Sequence, residues 1–268
     1  MRQEQAFLKG ISVRRFFQQD LQTIAAQGDC LLPEWICSSM VDSVLAANWR
    51  PHFYPVLPPS EATMVLQADF SQLHSQCLRM RGRYAVLLAH PAGHIDPDCA
   101  NFIATLIKES NSSCFIDWSQ SYGMAALDIA SAVAIYVSFN GNKLISHGGA
   151  MRFSQKNRDS SPFNWTIFHL EAQKKYAAMR TYLEDQGLAD IICDAQLYAE
   201  YQSSPMRTVL NWPQLPKSVQ RHLERLGMVQ PLLSRPCIDL PASSAYQQWM
   251  DRIMLMFPAP RDEWKKHA

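Results

Sequence analysis

Two short apolar segments in the middle of the chain constrain its fold more than any other feature. The first, Ser112 to Ile116, ends at Asp117, and the second, Ile129 to Phe139, ends at the turn sequence Asn140-Gly141-Asn142. Apolar runs of this kind between turn signals are typical of strands covered on both faces, as in a parallel sheet. We therefore expect both segments to be central strands of a sheet that helices cover on both sides.

The segments before this pair alternate between helical and strand patterns. Residues 7–27 carry apolar side chains at helical spacing, residues 84–89 (YAVLLA) have the pattern of a short buried strand, and residues 98–109 are again helical in pattern. Such alternation is typical of an α/β domain, with a mainly parallel sheet and crossover helices. We expect this larger domain to cover residues 1–153.

The character of the chain changes after Phe153. Residues 154–162, SQKNRDSSP, are polar and rich in turn-forming residues, which indicates a junction between two domains. The remaining sequence predicts helices at residues 169–183, 188–202, 216–226 and about 246–256. It also predicts short strands within residues 228–258. We expect residues 154–268 to form a smaller α+β domain.

Composition excludes several functional classes. Hydrophobic residues make up 47% of the chain and charged residues 18%, which is typical of a globular protein, and the net charge of +1 gives no electrostatic reason to bind nucleic acid or an anionic membrane. The seven cysteines form no C-x-x-C pairs, so we expect reduced thiols, no zinc site and a cytoplasmic protein.

A carboxylate and a lysine follow the two central segments. Asp117 ends the first segment, and Lys143 comes just after the turn that ends the second. Pyridoxal phosphate needs such a pair, because a lysine forms a Schiff base with its aldehyde and an aspartate keeps its pyridine nitrogen protonated. A less specific interpretation is that Asp117 caps a helix and Lys143 is a solvated loop residue.

The sequences around these two residues resemble a known family. Residues 117–123, DWSQSYG, are similar to the D-x-A-[QH]-x-x-G segment of the DegT/DnrJ/EryC1/StrS sugar aminotransferases, and residues 138–143, SFNGNK, are similar to their S-F-x-x-x-K lysine segment. The resemblance implies the fold of type I pyridoxal-phosphate enzymes, with a mainly parallel, seven-stranded kind of sheet and a smaller C-terminal domain.

The resemblance also implies a role for each matching residue. Asp117 would pair with the pyridine nitrogen, Gln120 would lie beside the cofactor's phenolic oxygen, Ser138 would hold the phosphate, and Lys143 would carry the internal aldimine. Lys143 would then also be the general base for the proton shift of transamination.

Three further residues correspond to the family's cofactor site less directly. Ser12, a candidate N-cap, stands where the family has a small-residue turn that holds the phosphate at a helix N-terminus. Cys37 occupies the place of the aromatic residue that stacks on the pyridine ring. Trp35, two residues earlier, is either a second contact of the ring or an ordinary core aromatic.

The resemblance implies a homodimeric biosynthetic aminotransferase that binds pyridoxal 5'-phosphate, an amino donor and a keto-sugar nucleotide or another ketone. The alternative is a degenerate member of the fold that serves as a non-catalytic binding or assembly partner. Fold alone does not separate the two, because function depends on the site.

Overall fold

The computed structural model describes most of the N-terminal half of the chain and parts of the C-terminal half. The described residues are 7–8, 11–57, 67–80, 83–89, 99–109, 112–119, 132–138, 149–153, 174, 177–178, 180–185, 187–188, 208–227, 229–230 and 253–256.

A seven-stranded mixed sheet forms the centre of the larger domain. In chain order the strands of the described residues up to Phe153 are β1 (Phe7–Leu8), β2 (Gly28–Pro33), β3 (Trp49–Tyr54), the short β4 (Val56–Leu57) and β5 (Gln67–Ala68), β6 (Tyr84–Ala89), β7 (Ser112–Asp117), β8 (Ala134–Ser138) and β9 (Ala150–Phe153). The order across the large sheet is β1-β9-β8-β7-β6-β2-β3, whereas β4 and β5 pair separately. The pairs from β8 to β3 are parallel, and β9 is antiparallel to both of its neighbours.

Four helices cover the two faces of this sheet. They are α1 (Val13–Ile24), α2 (Ser38–Ala46), α3 (Phe70–Arg79) and α4 (Cys99–Glu109). Side chains of α1 and α2 form one core with alternate residues of the strands, and side chains of α3 and α4 form the other with the intervening residues. The predicted two-sided burial of the central strands is confirmed, as is the α/β fold class.

The start of α1 shows how local sequence sets an element. Helical spacing places Val13, Phe16, Phe17 and Leu21 on one buried stripe, as predicted. The helix begins at Val13, directly after Ser12. Phe7 and Leu8 also fit the helical spacing, but they pair with β9 as a short edge strand.

Helix α2 begins later than its sequence pattern predicts. Residues 34–45 have the spacing of one continuous helix, but the chain bends at Glu34 and Ile36 and the helix begins only at Ser38. The Glu34 amide donates to the Tyr54 carbonyl at 2.9 Å, and the Glu34 carboxylate accepts from the Val56 amide at 3.0 Å. These bonds tie Glu34 to the end of β3 and to β4, and they outweigh its helical propensity.

A separate small sheet lies in the C-terminal part of the chain. Its strands β10 (Thr208–Asn211), β11 (Val229–Gln230) and β12 (Ile253–Met256) have the order β10-β12-β11, and helix α5 (Lys217–Arg225) lies between β10 and β11 in sequence. Leu183, Leu210, Leu215 and Leu223 are buried together in a cluster of their own. This cluster shares no residue with the two cores of the large sheet.

The predicted last helix is wrong over residues 253–256. These residues form β12, which is hydrogen-bonded on both sides, to β10 and to β11. A helical spacing of apolar residues does not distinguish a short amphipathic helix from a central strand whose neighbours come from distant parts of the chain.

A close approach between Gly28 and Trp49 generates a stability prediction. A Cβ at Gly28 would lie 2.8 Å from Cζ3 of the Trp49 ring, and that ring is almost fully buried. Overpacking of this kind costs about 1–3 kcal/mol. We expect Gly28→Ala to lower the free energy of unfolding by about that amount in urea denaturation.

The matched control is the same substitution in a Trp49→Phe background, where the smaller ring leaves room for the methyl group. A Gly28→Ala effect of equal size in both backgrounds would contradict this explanation.

Candidate functional site at the carboxyl edge of the sheet

The carboxyl ends of the parallel strands meet at one edge of the large sheet. Asp117 is the last residue of β7 and Ser138 is the last residue of β8. Asp117 pairs in register with Tyr136, so Ser138 lies two residues further along its strand. Strand spacing and rise place the two Cα atoms roughly 8 Å apart.

Asp117 and Ser138 also lie on the same face of the sheet. Side chains alternate along a strand, and both residues share the parity of Phe115 and Tyr136, which pack in the core beneath α1. The structure thus brings two of the predicted site residues together, at an edge where open α/β sheets bind ligands.

A local turn fixes the Asp117 side chain and the backbone that follows it. Its Oδ1 accepts a hydrogen bond from the Ser119 amide at 2.8 Å, and the next residue, Trp118, donates its amide to the Tyr136 carbonyl at 2.8 Å. The second bond keeps the chain attached to β8 beyond the end of β7. Asp117 is half-buried, so its carboxylate is held at the rim of the core.

The N-terminus of α1 lies at the same edge. Leu8 of β1 and Ser138 of β8 both pair with Ala150, and α1 begins five residues after Leu8. Ser12 is the N-cap residue, as predicted, but its hydroxyl makes no capping bond. Its carbonyl accepts from the amides of Arg15 and Phe16.

The first turn of α1 leaves donors for an anion. Among the described residues, no acceptor is found for the amides of Val13 and Arg14. Free amides and the positive end of the helix dipole favour a phosphate or carboxylate at this position.

Gly149 lies beside this edge, immediately before β9. Its φ of 85° lies in the left-handed region, and the residue is buried. A side chain there would be strained. Residues 139–148, which include Lys143, lie between Ser138 and Gly149 in the sequence. Lys143 and Gln120 themselves lie outside the described residues.

Cys37 and Trp35 occupy different environments. Cys37 is exposed at the N-cap of α2, and its Sγ lies 3.1 Å from Ser39 Oγ. Trp35 is only 1% exposed. A ring so deeply buried has little surface to offer a ligand, so its position supports the core interpretation, whereas Cys37 is accessible.

The sequence interpretation missed a charged network beneath α1. Asp20 of α1 accepts a bidentate pair of hydrogen bonds from Arg152 of β9, at 2.8 Å from Nε and 2.7 Å from Nη2, and a third from the Tyr136 hydroxyl at 2.6 Å. The side chains of Asp20 and Arg152 are largely buried, and Tyr136 is fully buried. A detectable signal was present, since Asp20 stands among the apolar positions of α1.

Burial and the neighbouring Asp20 carboxylate raise the pKa of Tyr136 well above its ordinary value. The phenol therefore stays protonated and acts as the donor to Asp20. Its ring packs against Phe17 and Phe115, with centroid distances of 5.8 Å and 6.0 Å. Tyr136 thus joins the aromatic core to the charged pair.

Within the described residues, no group of histidine, cysteine and acidic side chains could hold a metal ion. None of the helices in that part of the chain is long and apolar enough to cross a membrane.

Solved structures share this architecture. A DegT DnrJ EryC1 StrS aminotransferase from Brucella abortus superposes with a TM-score of 0.63 at 12% identity, covering 94% of this chain and 79% of its own. Helicobacter pylori PseC, an aminotransferase involved in the biosynthesis of pseudoaminic acid, gives 0.60 at 13% identity, with coverages of 96% and 82%. S. venezuelae DesV, solved with a ketimine intermediate, gives 0.60 at 14% identity, with coverages of 92% and 78%.

No family model matches the sequence, and no curated protein matches it. The structural likeness confirms the predicted fold, which is that of type I pyridoxal-phosphate aminotransferases. At these identities it establishes the fold alone.

The exposure of Cys37 generates a prediction about thiol reactivity. Burial raises the pKa of Cys77 to about 11 and that of Cys114 to about 12, so these thiols are protonated and inaccessible. We expect a thiol reagent at pH 8 to modify Cys37 of the folded protein within minutes, and Cys77 and Cys114 only after unfolding. Mass spectrometry of the separated peptides measures each site.

In that experiment a Cys37→Ser variant serves as the control, since its peptide should lose the rapid label. Rapid modification of Cys114 in the folded protein would contradict the prediction.

Proposed function

We propose that this chain is a pyridoxal-phosphate-dependent aminotransferase that acts on a keto-sugar nucleotide or another biosynthetic ketone. The proposal rests chiefly on the placement of Asp117 and Ser138. Both residues lie on the α1 face of the sheet, at the carboxyl edge where α1 begins.

The described residues fit this cofactor. Asp117 provides a half-buried carboxylate of the type that pairs with a pyridine nitrogen, and the first turn of α1 with Ser12 and Ser138 would supply amides and hydroxyls for a phosphate. Cys37 would contact the ring by van der Waals packing, without the stacking that an aromatic residue gives. Trp35 would contribute only through packing.

When bound, the cofactor supplies an electron sink for the carbon that gains or loses the amino group. Asp117 would hold a proton at the pyridine nitrogen, and Gln120 would lie beside the phenolic oxygen. Lys143 would hold the cofactor covalently and then, once released, take and return a proton at the substrate carbon.

PseC is similar in fold and is an aminotransferase of a biosynthetic pathway, which supports a small-molecule substrate and an amino donor. The ketone substrate and the cytoplasmic location belong to the proposal. We place the junction between the cofactor domain and the smaller domain in residues 154–162.

The binding of pyridoxal phosphate through Lys143 can be tested directly. We expect purified protein to develop a visible absorption band with the cofactor, and borohydride reduction to fix the label on the peptide that contains Lys143. Lys143→Ala should lose the band and the label. Loss of its proton transfer should lower transamination by about 10²- to 10⁴-fold.

The matched control is Asp117→Ala, which removes the charge partner of the pyridine nitrogen but not the covalent attachment. This variant should keep the label on Lys143 and react far more slowly when a panel of amino acids is offered as donors. Label spread over surface lysines in the wild type, or none, would overturn the proposal and favour a non-catalytic member of the fold.

We also propose that the protein is a homodimer, since two-fold dimers are the commonest assemblies of such chains. We expect light scattering at micromolar concentration to give twice the mass of 30.5 kDa. A mass equal to that of a single chain would contradict this expectation.

A further inference from the structure

Helix α1 contributes to both the core and the candidate site, so the geometry of the site depends on the exact position of α1 on the sheet. Most of its buried contacts are apolar, from Val13, Phe16, Phe17 and Leu21. Apolar burial is non-directional. Such contacts hold a helix against a sheet but tolerate small slides and rotations.

The bonds to Asp20 are directional in a way that these contacts are not. Arg152 grips the Asp20 carboxylate with two nitrogens in a planar fork, and the Tyr136 hydroxyl adds a third bond from the neighbouring strand. Three donors from two strands fix both the rotation of α1 about its axis and its position along it.

The register of the sheet connects this network to the carboxyl edge. Tyr136 and Arg152 are direct partners in the β8–β9 pair, and two residues closer to the edge the next such pair is Ser138 with Ala150. Asp20 comes seven residues after Val13, which is about 10 Å along the helix axis. The network therefore holds α1 about two turns from its first-turn amides, for which the described residues provide no acceptor.

Stability alone gives little reason for a largely buried ion pair at this place. Apolar residues of similar volume are often as stable, because burying two charges is costly. Compared with apolar residues, such a pair defines the position of the helix more precisely. Because Arg152 balances the charge of Asp20, the network also adds no net charge near Asp117, the register neighbour of Tyr136.

We propose that Asp20, Arg152 and Tyr136 are positioning residues that fix the position and orientation of α1 on β8 and β9. They thereby direct the first-turn amides of α1 toward the cofactor's phosphate. This inference rests on the proposed function. The network would act on the binding of the cofactor's phosphate, and not on the binding of its pyridine ring or on its covalent bond to Lys143.

The test compares the affinities of pyridoxal phosphate and pyridoxal, which differ only in the phosphate. We expect Tyr136→Phe, which keeps the ring packing, to lower the affinity for pyridoxal phosphate about tenfold and to leave that for pyridoxal unchanged. Arg152→Lys, which keeps the charge but loses the fork, should act in the same direction.

The matched control is Ile103→Val, a fully buried position of α4 on the opposite face of the sheet. It should lower Tm without changing the ratio of the two affinities. Near-ultraviolet circular dichroism verifies that each variant is folded.

The outcomes separate the two proposals. An unchanged affinity ratio in Tyr136→Phe and Arg152→Lys, or an equal change in Ile103→Val, would overturn the positioning role alone. A wild type that binds neither compound would overturn the proposed function as well.

Discussion

Burial of the central strands on both faces is the constraint on which the rest of the structure depends. Along β7, Cys114 and Ile116 face α3 and α4, whereas Phe115 faces α1 and α2. A strand covered in this way has no room for an unpaired polar side chain along its length. A polar side chain within a strand needs a buried partner, as the Tyr136 hydroxyl has in Asp20. Asp117 and Ser138 lie instead at strand ends.

Helix α1 connects this core to the candidate site. Its apolar stripe closes the core over Phe115 and Tyr136, and its first turn, at the carboxyl edge, leaves amides without an acceptor among the described residues. One rigid element thus serves two purposes, so a change in its packing is transmitted to the site. The two hydrogen bonds from Arg152 to Asp20 fix the orientation of α1, whereas the apolar contacts of the helix only exclude water.

The sequence predicted local patterns well and non-local contacts poorly. The strand Tyr84–Ala89 and the buried stripe of α1 follow from side-chain spacing alone. Strand β12 did not, because its identity depends on pairing with β10 and β11. The motifs predicted Asp117 and Ser138 as site residues, but they did not predict the network on Asp20, since its partners lie more than one hundred residues away.

Low sequence identity and a shared fold are compatible for a physical reason. A core accepts many apolar side chains of suitable total volume, so a chain can share 12% identity with another and still superpose on it. Under the proposed function, residues at the carboxyl edge have less freedom, because a pyridine nitrogen requires a carboxylate and a phosphate requires donors. The resemblance accordingly rested on two short segments, and one of them begins at Asp117 while the other begins at Ser138.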